Sequence, residues 1–405
     1  MVSFASHLVV AADRTPRQSG DRRVKTWTTN RFDEQSIRAV VERAFEITRL
    51  QAPDPDLLPL ADPAPVQELD RFHAATAATT PRERAAAVAE AIGIVESAGQ
   101  VAAGIFATGH SVEAALNSRG LFDYHNESQA QFSITAMADD SSGWAKASAP
   151  DCDAVNPLGL ARRACLKAAA ARNPRELAPG RCTVILEPSA VGDLVGQMFA
   201  DFSATAVRDQ RSFLTGRTGQ KLFGDGVRIL DDVFHPLQSG PPFDGEGVPR
   251  TRLVLVENGV LGELPYSRQA AHRDGVQPTG HGFPLPNEEG EAPLNIVIEG
   301  GTERIEDLIA ATERGVLVTR LWYIREVDPY KKIMTGMTRD GTFLVEGGRI
   351  VCGLRNMRFN ESLIDLLNHV DAMSPAARTC GEESFPMVAP AMKVRDFHFT
   401  EVTRF

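Results

Sequence analysis

Nine histidines and five cysteines are the side chains of this 405-residue chain most able to hold a metal or act as a nucleophile, and their spacing works against both roles. No histidine is followed directly by glutamate, so the chain holds neither an HExxH nor an HExxxH zinc helix. His272 and His281 form the closest pair, in a stretch that reads as loop. Cys152, Cys165, Cys182, Cys352 and Cys380 are odd in number, scattered and without CxxC spacing. That pattern suits reduced thiols better than a disulfide framework, and a structural zinc site needs closer ligands. Cys380 sits in the polar run RTCGEES, where exposure is expected. A nucleophilic thiol needs a base and electropositive surroundings, whereas Glu382 and Glu383 would raise its pKa. The pairs Asp139-Asp140 and Asp231-Asp232 read as turns or solvated edges rather than as cation sites. GxGxxG, Walker and GxSxG motifs are absent. The residues by themselves describe a protein without a self-contained active site.

The elements that would position these residues fall into two groups. A chain this long exceeds one compact core, so two domains are expected, 1–175 and 176–405, divided in the run RNPRELAPG. With 43% hydrophobic and 24% charged residues the composition is that of a globular protein. A net charge of -10 argues against direct nucleic-acid binding. No apolar run approaches the ~18 residues of a membrane span, and no basic segment precedes the short apolar N-terminus. A cytoplasmic location and no membrane contact are expected.

In the first part, apolar residues at helical spacing (Ile37, Val40, Val41, Ala44, Phe45, Thr48) predict a helix over 33–50. The proline-rich run 51–65 predicts an extended connection. A second helix is expected over 81–99, with Pro81 in its first turn, and a third over 157–171. Between them, 101–137 reads as short strands with turns, one at Asn117-Ser118-Arg119-Gly120. The second part opens with a strand over 182–186 and a helix from Pro188. Strands dominate after Gln210. Asn258-Gly259 predicts a type I′ hairpin over 252–264, and Gly347-Gly348 another over 342–352. A helix capped by Thr302 and stopped by Gly315 precedes the β-rich run 316–325. The expected class is α+β: an α/β N-terminal domain and a mostly β C-terminal domain.

Several segments, in order, resemble landmarks of the TldD/PmbA metalloprotease family. Phe4-Ala5-Ser6 resembles its FANS-like strand, residues 27–49 its strand-to-helix passage, and Leu60-Ala61-Asp62-Pro63 its LADP stretch. Asn117-Ser118-Arg119-Gly120 is similar to its N-S-x-G turn, and Ser142-Gly143-Trp144 to the small-residue segment after it. VILEPSAVGDLVG (184–196) stands where the family's zinc helix begins. FDGEGVP (243–249) resembles the D-x-E-G-x-P passage, and 344–360 and 388–400 the closing strands. Members usually carry a further helix before the first strand; this chain starts almost at that strand, as a shortened version or from a misplaced start.

The resemblance implies a TldE/PmbA-type subunit. In TldD-type subunits an HExxxH helix gives two histidine ligands and a glutamate base, and a distant cysteine completes the zinc site. Alignment on Ala190-Val191-Gly192 puts Pro188 and Asp193 at the histidine positions, Ser189 at the glutamate and Cys380 near the cysteine. Pro188 cannot ligate and Ser189 cannot replace the carboxylate base, so this set is a degenerate zinc site. No catalytic residue and no metal are therefore assigned to this chain; the zinc is expected in a TldD-type partner. The implied activity of the pair is cleavage of unfolded peptides bound as added strands, in peptide or natural-product maturation. Thr279, His281, Arg320 and Trp322 are the substrate-groove candidates. Two alternatives stand beside this: a peptide-binding or scaffold homodimer without protease activity, and a biosynthetic enzyme that has repurposed Cys380, Asp193 and His281.

Overall fold

The computed structural model describes residues 8–11 and 23–403. Phe4-Ala5-Ser6 and the question of a preceding helix lie outside these residues.

Up to Ala170 the elements are β1 (Leu8–Ala11), β2 (Thr26–Thr29), α1 (Glu34–Leu50), α2 (Ala74–Ala78), α3 (Pro81–Ser97), β3 (Val101–Leu116), β4 (Phe122–Met137), β5 (Ser142–Ala149) and α4 (Pro157–Ala170). The three expected helices form where the periodicity places them. Asp33 caps α1 by accepting the Ser36 N–H, and Thr80 and Glu83 close a capping box on α3. Only part of the expected α1 stripe is buried: Val40, Ala44 and Thr48 are, while Ile37 and Phe45 stay exposed. The short strands expected over 101–137 are instead two 16-residue strands joined by one turn. Gly104 resembles a strand break in the sequence, yet a Cβ there would lie 2.2 Å from the Ser133 carbonyl, so this glycine permits close approach to β4. β3, β4 and β5 form a three-stranded antiparallel sheet, and α3 and α4 cover one face around Phe132, Ile134, Ala145 and Ala164.

The second region contains β6 (Gly180–Leu186), α5 (Pro188–Val195), α6 (Ala204–Arg208), β7 (Ile229–Asp231), β8 (Leu253–Glu257), β9 (Val260–Leu261), α7 (Arg268–Asp274), β10 (Ile296–Ile298) and α8 (Ile305–Ala310). It continues with β11 (Arg314–Asp328), β12 (Ile333–Glu346), β13 (Arg349–Gly353), β14 (Met357–Ser362), α9 (Leu363–Asn368), β15 (Val370–Met373), β16 (Ala377–Thr379), β17 (Met387–Ala389) and β18 (Met392–Val402). Both glycine turns form as expected, with φ 50° and 77° at Asn258 and Gly259 and φ 54° and 74° at Gly347 and Gly348. Three readings are corrected. Arg304, not Thr302, precedes α8, and Gly315 lies inside β11. His272 belongs to α7, not to a loop. Asp231 lies fully buried in β7, where flanking apolar residues carry it inward, rather than on a solvated edge.

Six strands form one sheet in the order β16-β17-β10-β7-β8-β9. The other sheet closes on itself: β6 pairs with β11, β11 with β12, β12 with β14, β14 with β18, and β18 with β6. Closure leaves these five strands without a free edge. Along β6, Val184 and Leu186 face the main core with Phe359, Phe397 and Phe399, while Ile185 faces a second cluster with Leu317 and Phe343. Helix α5 packs against this barrel with Ala190, Val191, Leu194 and Val195 buried, so its position is fixed by apolar contact.

Candidate functional site

Three elements converge on the segment that joins β16 to β17. Helix α5 supplies Asp193, which has no exposed surface. Its Oδ1 accepts the backbone N–H groups of Glu382 and Glu383, at 2.8 and 2.9 Å. A Cβ on Gly381 would come within 1.9 Å of the same oxygen, so only glycine lets the loop close over the carboxylate. Asp193 Oδ2 is buried without a hydrogen-bond partner, as is Thr379 Oγ1 nearby on β16. Burial pushes the Asp193 pKa up to about 6, against the pull of the two N–H groups and Arg320.

Strand β5 supplies the second wall. Side chains alternate across a strand, and Ser142, Trp144, Lys146 and Ser148 all point at the second region. The Ser142 hydroxyl donates to Asp340 at 2.6 Å. Lys146 Nζ donates to the Gly381 carbonyl at 3.0 Å and to Glu382 at 2.9 Å. Ser148 Oγ accepts from Arg378 Nε at 3.1 Å. Between them the small residues Gly143, Ala145, Ala147 and Ala149 lie against α4 and its neighbours.

β11 and β12 supply the third wall. Arg320 is 7% exposed and pairs with Asp340 through two donors. Its guanidinium lies 5.1 Å from the Trp144 ring and 5.5 Å from Trp322, and Arg339 covers Trp322 at 4.9 Å. Trp144, Arg320, Trp322 and Arg339 thus alternate ring and cation across the seam between the two regions. At Tyr323 the strand register shifts and φ is 60°; the freed Tyr323 N–H donates to Glu383 Oε1 at 2.9 Å.

Pro188 and Ser189 stand partly exposed at the start of α5. The structure brings Asp193, Arg320 and the segment bearing Cys380 together, with Trp322 beside Arg320. Cys380 is 4% exposed, not solvent-facing, because its loop folds back over α5. Burial raises its thiol pKa; Ser148, Lys146 and Arg378 pull it down and Glu382 adds to the rise. Thr279 and His281 are placed elsewhere. His281 is 1% exposed and both ring nitrogens are engaged, Nε2 with Asp231 at 3.1 Å and Nδ1 with the Thr279 hydroxyl at 2.9 Å. Both lie in the chain between Asp244 and Glu291, which folds inward on its carboxylates. Lys146, Ser148, Arg378 and Asp340 escaped the sequence reading. The alternation of polar and small residues in SGWAKASA was the one available signal for the β5 wall.

A family model, the PmbA/TldA metallopeptidase C-terminal domain, matches residues 179–401. The chain belongs to the PmbA/TldD metallopeptidase family. A metalloprotease of Methanothermobacter thermautotrophicus is 25% identical over 71% of this chain and 66% of its own length. The metalloprotease PmbA of Escherichia coli O157:H7 is 23% identical over 89% of this chain and 80% of its own. The crystal structure of TldE from Thermococcus kodakarensis superposes with a TM-score of 0.84 at 22% identity, over 94% of this chain and 88% of that one. That likeness concerns the fold.

The donors on α5 do not fit the zinc implied by this family. Pro188 offers no donor atom, Asp193 Oδ1 is spent on two backbone N–H groups, and Ser189 carries a hydroxyl where the family has a carboxylate base. A catalytic zinc takes three protein ligands and an open position. Among the described residues the one group of three or more close metal-ligating side chains is Asp151, Cys152 and Asp153, consecutive residues beyond β5 and apart from α5.

Proposed function

We propose that this chain is the non-catalytic, TldE/PmbA-type subunit of a heterodimeric zinc metallopeptidase that cleaves unfolded peptides. The observation that carries the reading is Asp193. A carboxylate at a zinc-ligand position is turned inward and serves as the anchor of the 381–383 loop. The same helix can keep its place in the fold while a partner's copy performs the chemistry. Zinc in the TldD-type partner would activate water there; this chain contributes wall and rigidity. No apolar span is needed: no helix among the described residues is long and apolar enough to cross a membrane. A peptide or natural-product precursor is the proposed substrate class, and the cytoplasm the proposed location.

A repurposed thiol enzyme is disfavoured by the separation of roles: His281 is committed to Asp231 and Thr279, and Cys380 has Ser148, Lys146 and Arg378 around it. Co-expression with a TldD-type protein and purification through a tag on this chain tests the proposal. The expected result is an equimolar complex with about one zinc whose peptidase activity vanishes when the partner's HExxxH glutamate is replaced. Activity or stoichiometric zinc in this chain alone would overturn it.

A further inference from the structure

The hairpin β3–β4 turns one face toward the 240–250 segment of the second region. Side chains alternate along a strand, so Asp123, His125 and Glu127 share that face. Glu113 lies directly opposite His125 in the register and joins them. The face meets the segment at two points: Leu121 packs beside Gly247, and Glu127 accepts the Gly240 N–H at 2.8 Å.

Between these points stand charged groups without partners. Arg250 is 9% exposed, and its Nε and Nη1 are buried with no acceptor among the described residues. Glu113, Asp231 and Asp244 lie within electrostatic reach of it. Asp231 is already taken by the His281 ring and the Asn295 N–H. Asp244 is taken by the N–H groups of Glu246, Val248 and Gly282. Asp123, also 9% exposed, lies near the Asp244 charge and accepts no hydrogen bond among the described residues. His125 is turned to Glu127 at 3.5 Å. Glu113 is exposed and marks the open side of the cleft.

A guanidinium carries five N–H donors in a fork that matches a carboxylate. Enclosed water would satisfy some of those donors and leave the charge uncompensated. A simple anion beside Arg250 would also meet Asp123 and Glu113, and a simple cation beside those carboxylates would meet Arg250. A molecule with both charges suits all three groups. We infer that this cleft binds a small zwitterion, an unblocked α-amino acid or dipeptide, with its carboxylate on Arg250 and its ammonium toward Asp123 and Glu113. The inference needs neither zinc nor a partner chain and is independent of the peptidase-subunit reading.

The full chain alone is titrated by calorimetry with L-alanine and with L-alanyl-L-alanine. The same dipeptide with an acetylated N-terminus and with an amidated C-terminus completes the set. Saturable binding of at least one zwitterion is expected, and the tighter of the two gives the span of the site. Blocking either end should weaken binding about tenfold or more, the loss of one charge-assisted contact. Arg250→Gln and Asp123→Asn should each weaken it to the same degree. Arg252→Gln, which alters a half-exposed arginine paired with Asp232, should leave it unchanged. The blocked peptides test the wild-type chain, so the result does not hang on a variant that fails to fold. Absence of saturable binding, equal binding of the blocked peptides, or indifference to both Arg250→Gln and Asp123→Asn would overturn the inference. So would a Glu113→Gln chain whose thermal stability falls as far as that of Arg250→Gln, because Glu113 would then be the partner of Arg250.

Discussion

Asp193 and Asp231 are both fully buried, yet they ionise in opposite directions. Burial works against the charge of each. At Asp231 the His281 ring, the Arg250 charge and the Asn295 N–H overcome it and hold the carboxyl below the usual carboxylate range. At Asp193 two N–H groups reach one oxygen, the other has no partner, and the pKa climbs to about 6. Burial alone therefore does not decide the charge of an interior carboxylate: each accepts two hydrogen bonds, but at Asp231 they are spread over both oxygens and the His281 ring and Arg250 charge lie beside them. The interior around Asp231 is built as a finished pair, with a hydrogen bond on each carboxylate oxygen. The α5 seam is built as an anchor with one carboxylate oxygen left over.

The comparison breaks most readily at the finished pair. His281→Ala leaves the Asp231 carboxylate buried without its imidazole partner, and a loss of about 3–5 kcal/mol is expected in denaturant unfolding. A loss below 1 kcal/mol would mean that Asp231 is not charged in the native state. Asp193→Ala removes the acceptor of two backbone N–H groups, for an expected cost of about 2 kcal/mol. The same variant should free the 380–384 loop, read as faster labelling of Cys380 by a thiol reagent; unchanged labelling would detach Asp193 from the loop.

Asp193→Asn sharpens the contrast because its effect should depend on pH. The folded-state pKa of about 6 lies above the ordinary 3.8, so the folded protein holds the proton more tightly. Wild-type stability from this group therefore rises as pH falls through 6 toward 4 and is lost again above 6. Asparagine keeps an acceptor for the loop and carries no charge. It should stabilise the protein by about 1–2 kcal/mol at pH 8 and by nothing at pH 4. A variant less stable than wild type at pH 8 would show Asp193 to be productively paired as an anion. The smallest effect is expected at the edge of the seam. Lys146→Ala breaks the bond to Gly381 and the partly exposed pair with Glu382, for about 1 kcal/mol.

Local pattern made much of this protein legible. The caps at Asp33 and Thr80, the prolines opening α3, α4 and α5, and the two glycine turns follow from neighbouring residues, and so did their placement along the sequence. The absence of HExxxH is likewise a property of the sequence. Long-range pairing was not legible. The run 101–137 reads as short strands until the pairing of β3 with β4 is in place, where the Ser133 carbonyl comes too close to residue 104 for any side chain. Asp231-Asp232 reads as polar until His281, fifty residues away, arrives beside it.

Sequence alone determined the helices, the tight turns, the order of family landmarks and the absence of an HExxxH motif, because each depends on residues a few positions apart. Tertiary structure decided the burial of Cys380 and His281, the closure of the barrel, the alternating stack from Trp144 to Arg339 and the opposite pKa shifts of Asp193 and Asp231. Those depend on desolvation and on donors contributed by distant segments, which no local spacing encodes.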